Sequence, residues 1–301
     1  MKPISHSLVL TFLLSAMTAH GETFAEGLVS DDFSNADYAP LSPGDSDLGV
    51  QVLLDGDNQS SGTPIDFTIG LDLQYTDNAP SKPGNSQEGS ALLSSYASLS
   101  WQPYLGMGWF ADLGLTHEIY EYEDSGALDF QNTTPQIGLI RNLPGFEGGI
   151  FYIRYELQRL TAGSISDSDY SAQRIRAGYS TALISNDAHE LIGGISAACD
   201  IDANPDDLER NEYSLELMYN YRINHRWSAS LIGQTSIWDF DQDGREDNVH
   251  ILGASLNYDI NQSAAISAGI YWSNNDTNLP FAGVASDAWQ GGLSLSLSHS
   301  F

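Results

Sequence analysis

A single cysteine, Cys199, stands in the 301 residues, so no disulfide can form within the chain. A small exported fold held together by staples would carry several cysteines. Cys199 reads instead as a small apolar residue on a strand. Lysine is nearly as scarce, with Lys2 and Lys82 alone, and 11 basic residues face 40 acidic ones for a net charge of −29. A chain so acidic repels nucleic acid and attracts cations. No glycine-rich phosphate loop, no Cys/His metal cluster and no basic patch is present. No run is long enough to cross a bilayer as a helix, which needs roughly 20 apolar residues. No segment has the spacing of an amphipathic helix of useful length.

What the chain does have begins with MKPISHSLVLTFLLSAMTAHG. Lys2 gives a positive start, Leu8 to Met17 an apolar run, and Ala19-His20-Gly21 a small-x-small cleavage site. That is the layout of a signal peptide over residues 1–21, with cleavage before Glu22. No cysteine follows the run, which argues against a lipid anchor. Residues 22–63 hold nine acids and no Lys or Arg, among many Ser, Gly, Asp and Pro, and read as a flexible acidic leader.

From Ile65 the texture changes. In IDFTIGLDLQY, Ile65, Phe67, Ile69, Leu71, Leu73 and Tyr75 share one face, while Asp66, Thr68, Gly70, Asp72 and Gln74 share the other. Alternation of period two is a strand with one apolar and one polar face. Its length, about 11 residues, is that of a tilted strand crossing a membrane. Twelve such segments follow one another, near 65–76, 91–102, 107–121, 130–142, 149–160, 170–183, 190–200, 211–223, 226–238, 248–260, 263–273 and 287–301. The connections alternate in length. PYLG, LPGFEG, SNDAH, Asn224-His225 and Asn261-Gln262 are tight, whereas TDNAPSKPGNSQEG, DIDANPDDLER, DFDQDGREDN and NNDTNLPFAGVASD are long and acidic. Aromatic residues gather at strand ends: Trp101, Trp109, Phe151, Tyr221, Trp227, Tyr258 and Phe301 by the short turns, and Tyr75, Tyr155, Tyr213, Trp272 and Trp289 nearer the long loops. A secreted sandwich or solenoid also alternates, but has no reason to alternate its loop lengths or to band its aromatics.

The chain closes on GGLSLSLSHSF, with Leu293, Leu295 and Leu297 against Ser294, Ser296 and Ser298 and a final Phe301. Over residues 65–301 this resembles the Gram-negative outer-membrane β-barrels, whose last strand alternates and ends in Phe. The resemblance implies an all-β, transmembrane, antiparallel up-and-down barrel over 64–301, with an even strand count of about twelve. It also implies a cell outer-membrane location, contact with outer-membrane lipid and lipopolysaccharide, and recognition of the strand ending at Phe301 by the barrel assembly machinery. It suggests a porin-like channel for passive diffusion of small polar solutes or ions and says little about which.

In such a barrel the polar face lines the lumen. The inward register holds many small residues: Ser94, Ser98, Ser100, Gly178, Ser180, Gly194, Ser196, Ser228, Ser230, Ser267, Gly269, Ser294, Ser296 and Ser298. They leave room for water unless the leader fills it. Inward charges are Arg154, Arg174 and Arg176 with Glu156 among them, and Asp66, Asp72, Asp112, Glu118, Glu190, Glu212 and Glu216 on other strands. A basic wall facing an acidic one would place a transverse field across a constriction, with the arginines favouring anions. The same residues could instead form ion pairs that brace the lumen.

Two other readings stay open. Asp239, Asp241 and Asp243 followed by Gly244 form the first half of a calcium loop, with hard oxygen ligands at alternate positions. Its twelfth position is His250 rather than Glu, so Glu246 or Asp247 would have to complete the shell; otherwise the segment is a solvated acidic turn. Asp200 to Asp207 is a weaker version. A barrel dominated by such loops would serve adhesion or envelope stability, with Ca2+ as its one candidate cofactor. A lipid-modifying enzyme would need a nucleophile and base, and His117 with Ser95 or Thr133 is the nearest pairing, without an evident orienting group.

Overall fold

The structure is a computed structural model describing residues 65–78, 89–123, 129–143, 149–161, 170–241, 244–261, 263–279 and 286–301. The signal peptide and the acidic leader expected over 1–63 lie outside them. Among the described residues thirteen strands are formed: β1 (Ile65–Thr76), β2 (Ser90–Trp101), β3 (Tyr104–Gly106), β4 (Trp109–Tyr122), β5 (Phe130–Asn142), β6 (Ile150–Thr161) and β7 (Tyr170–Ser185). They continue as β8 (His189–Asn204), β9 (Arg210–Arg222), β10 (Trp227–Phe240), β11 (Glu246–Asn261), β12 (Ala264–Thr277) and β13 (Ser286–Ser300). Apart from three-residue β3, each strand pairs antiparallel with its neighbours, β2 pairs directly with β4, and β1 pairs with both β2 and β13. The sheet is therefore a closed twelve-stranded up-and-down barrel.

Period two fixes which side faces out. At the closing seam Leu71 stands opposite Leu295 and Leu73 opposite Leu293, while Asp72 stands opposite Ser294. Leu73, Leu293, Leu231 and Ile195 are each more than half exposed on the outer face. In water a continuous apolar belt of this kind would drive association. Against hydrocarbon it is the matched surface, and closure pairs every strand edge, as a sheet in lipid requires.

The short hairpin strand β3 is absent from the sequence reading, which took PYLG as part of a tight turn. Met107 has φ 55° between Gly106 at φ 101° and Gly108 at φ 78°. Three consecutive left-handed residues reverse the chain, and the two glycines make that reversal cheap. The Tyr104 ring then packs on Phe110 at 5.1 Å.

The inward face is less uniformly polar than expected. At the long-loop rim, Leu92, Tyr120, Tyr122, Phe130, Leu160, Tyr170, Trp238, Phe240, Val249 and Ile251 form one buried apolar cluster. At the short-turn rim, Ile140, Ile150 and Tyr152 form a second, with Phe110 against it. The small lumenal residues do fall on the inward register, yet rings occupy some of the hollows beside them. Tyr96 covers Gly70 and Tyr152 covers Gly178 so closely that an added Cβ would lie 2.0 and 2.5 Å from ring carbons.

Candidate functional site: a lumenal charge row

Ladder pairing lines up one row of residues across the barrel wall. Asp112 stands opposite Gly138, Gly138 opposite Arg154, Arg154 opposite Arg176, Arg176 opposite Ala198, and Ala198 opposite Glu212. All six are on the lumenal side of β4 to β9. The small residues at Gly138 and Ala198 let charges two strands apart meet over them. Arg154 Nε donates to Asp112 Oδ2 at 2.5 Å, and Arg176 Nη1 donates to Glu212 Oε1 at 3.0 Å. One row nearer the long-loop rim, Glu156 faces Arg174 on the ladder, while its carboxylate accepts from Arg176 Nε at 3.4 Å. Arg174 Nε donates to Asp200 Oδ1 at 2.7 Å across a bulge in the β7–β8 ladder, and its Nη1 lies 3.6 Å from Glu212.

The expected opposition of a basic and an acidic wall is thus replaced, around the arginines, by interleaving. Arg154, Arg174 and Arg176 alternate with Asp112, Glu156, Asp200 and Glu212. All three guanidinium side chains are almost fully buried. Like charges this close on a ladder would repel, and buried ions are tolerated when each finds a counter-ion and hydrogen bonds. Ser214 adds a hydroxyl to Glu212 at 3.0 Å.

The remaining predicted acids are spread round the wall. Glu118 accepts from Asn132 at 2.8 Å and from the Tyr120 hydroxyl at 3.3 Å. Glu190 accepts from Asn220 at 3.3 Å near the short-turn rim. Asp66 accepts from the Ser300 hydroxyl at the seam, and Glu216 lines a small recess with Tyr152, Ser196 and Met218. Asp72 is fully buried and accepts from the Ser94 hydroxyl at 3.2 Å.

Sequence reasoning passed over a second set, at the long-loop rim. Arg210 lies 3.9 Å above the Trp238 ring, and Arg245 lies 4.2 Å above Phe240 while bonding Asp247 through Nη2 at 2.6 Å. The available signal was parity, since Arg210, Trp238 and Phe240 all share the inward register with Glu212, Ser236 and Ser230.

Of the calcium loop, Asp239 lies on the outer face of β10 and Asp241 accepts from Asn211 at 3.3 Å; Asp243 lies outside the described residues. Gly244 takes φ 63° as the turn requires. Among the described residues no three metal-type ligands converge. In the weaker version, Asp200 is turned inward onto Arg174 and Asp202 accepts from Gln173 at 2.9 Å, so neither is directed at a shared ion. Glu209, just outside β9, has its carboxyl held above the ordinary range by desolvation, reinforced by the negative charges of Asp241, Asp200, Asp202 and Asp206. His117 meets Thr133, rather than Ser95, at 2.9 Å on the lipid-facing side of β4 and β5.

Fold and lumen together define a protein of the outer-membrane β-barrel architecture. A family model described as "Putative MetA-pathway of phenol degradation" matches residues 193–286, under half of the chain. An outer-membrane channel from Pseudomonas putida F1 superposes with a TM-score of 0.54 at 10% identity, covering 83% of this chain and 100% of that one. A bacterial polysaccharide outer-membrane secretin gives 0.47 at 7% identity, covering 80% and 100%, and an anion-selective porin from Comamonas acidovorans 0.39 at 10%, covering 80% and 100%. At 10% identity the likeness to the Pseudomonas channel is one of fold. No curated protein matches the chain.

Proposed function

We propose that the chain resides in the outer membrane as a channel for passive diffusion of small solutes, with the row from Asp112 to Glu212 as its selecting band. The observation that carries the reading is the buried, interleaved set of arginines and carboxylates inside a closed wall whose oily side faces out. A fixed array of both signs favours polar and charged solutes that can exchange hydrogen bonds with it in passing. The aromatic cluster at the long-loop rim extends the solute class to small ring compounds with a negative charge, since Trp238 and Phe240 hold Arg210 and Arg245 in place over their faces at the entry. The phenol-degradation description of the matched family supports that extension. Insertion through the assembly machinery, reading β13 and Phe301, belongs to the same proposal.

Recording from the refolded mature chain in planar bilayers tests it. Discrete conductance steps are expected, and Arg154→Ala with Arg174→Ala should shift the reversal potential toward cation preference. In vesicles, Trp238→Ala with Phe240→Ala should slow entry of a hydroxylated benzoate more than entry of an aliphatic carboxylate of the same charge. A folded, inserted chain that conducts nothing would overturn the channel and leave the acidic loops as the working part.

A further inference from the structure

The seam where β1 meets β2 and β13 holds a fully buried carboxylate unlike those of the charge row. Asp112, Asp200, Glu212 and Asp247 each hold a guanidinium, and Glu118 is bonded by an amide and a phenol. Asp72 is 0% exposed, and among the described residues the groups set against its carboxylate are neutral hydroxyls. Its Oδ2 takes the Ser94 hydroxyl, and the Ser294 hydroxyl stands beside the same carboxylate without hydrogen-bond geometry. Asp72 Oδ1, Ser294 Oγ and Tyr96 Oη are all buried and lack a hydrogen-bond partner. Tyr96 lies over Gly70, two residues along the same face of β1, within electrostatic reach of Asp72. Tyr271 on β12 is also within that reach.

Among the described residues no basic side chain of this wall balances the charge. The chain has no Lys or Arg between residues 83 and 140 or after Arg245, and none between residues 3 and 81. That covers β1, β2, β4 and β11 to β13, the whole of this wall. His117, His250 and His299 point to the lipid side. A buried carboxylate among unmatched oxygens costs several kcal/mol unless a proton or a cation joins it.

We propose that Asp72, Ser94, Ser294 and Tyr96 form a binding site for one monovalent cation of sodium size. Four oxygen-bearing groups on three neighbouring strands would supply its ligands: a carboxylate, two serine hydroxyls and a phenol. Hard oxygen donors suit an alkali cation, and a single carboxylate balances one positive charge, whereas calcium sites gather several. The ion would tie together the three strands that close the barrel, across the lumen from the arginines. The inference does not depend on whether the barrel conducts.

Denaturant unfolding of the refolded full chain tests it, in sodium chloride against N-methylglucamine chloride at equal ionic strength, alongside sodium NMR line broadening. The native chain should unfold later in sodium, with a thermal counterpart of about 3–6 °C at sodium ten times the dissociation constant, and should broaden the sodium line. Asp72→Asn should abolish both effects while removing the buried charge, so it should fold at least as well in N-methylglucamine. Tyr96→Phe keeps the ring over Gly70 and should weaken the sodium effect without abolishing it. Identical unfolding of the native chain in the two salts with no line broadening would overturn the site, as would a sodium effect that survives in Asp72→Asn.

Discussion

Arg154 and Asp112 lie two strands apart, yet their side chains close to 2.5 Å because the residue between them on the ladder is Gly138. A Cβ on Gly138 would stand 2.4 Å from the Ile153 carbonyl oxygen and 2.8 Å from Arg154 Cγ. Ala198 does the same between Arg176 and Glu212. The charge row exists because alternate positions are small.

Filling those gaps should therefore break the row from within. Gly138→Val or Ala198→Leu is expected to lower stability by about 1–3 kcal/mol through overpacking. Asp112→Ala, which removes the carboxylate bonded to Arg154 Nε, should cost more, about 3–5 kcal/mol. Urea midpoints of the refolded variants measure the order. Equal midpoints for Gly138→Val and the native chain would reject the bridging role of the glycine.

The outer belt makes a prediction of opposite kind. Leu295→Arg, in the middle of β13 on the lipid side, should destabilise the barrel by about 2–4 kcal/mol in a bilayer. Ser296→Arg, one residue on, turns to the lumen and should cost far less. Folding into liposomes, followed by the mobility shift of the compact barrel on unheated gels, separates the two.

Glu209 contributes a pH dependence at the long-loop rim. Its carboxyl titrates above the ordinary glutamate value of 4.5 in the folded protein. A raised folded value means that protonation favours folding. The contribution is present below the unfolded value and is lost as pH rises through the folded one. Unfolding midpoints should therefore fall as pH climbs from the ordinary carboxylate range toward neutrality, and Glu209→Gln should flatten that part of the curve. Magnesium, which screens the neighbouring Asp202, Asp206 and Asp241, should flatten it too.

Removing Phe301 separates assembly from stability. The Phe301 amide donates to the Ile65 carbonyl at 3.0 Å, and its ring is 76% exposed beside His299. Its deletion should leave refolding into detergent nearly unchanged while reducing outer-membrane levels in cells. Unaltered cellular levels would remove Phe301 from the recognition signal.

By itself, the order of residues determined the twelve long strands, the side each residue faces and the closure of the sheet. Those follow from a period of two and from the demand that lipid leave no backbone group unpaired, both local in origin. Leu71 and Leu295 were legible as lipid-facing without knowing that they stand opposite each other. Register belonged to the tertiary structure. That Asp112 meets Arg154 over Gly138, or that Asp72 is ringed by hydroxyls from β2 and β13, depends on pairing between distant segments, and a slip of two residues would preserve every facing while dissolving both sites. The aromatic rim was decided there too: inward Tyr120, Phe130, Trp238 and Phe240 break the polar parity because strand ends beyond the hydrocarbon can pack their rings on one another across the mouth.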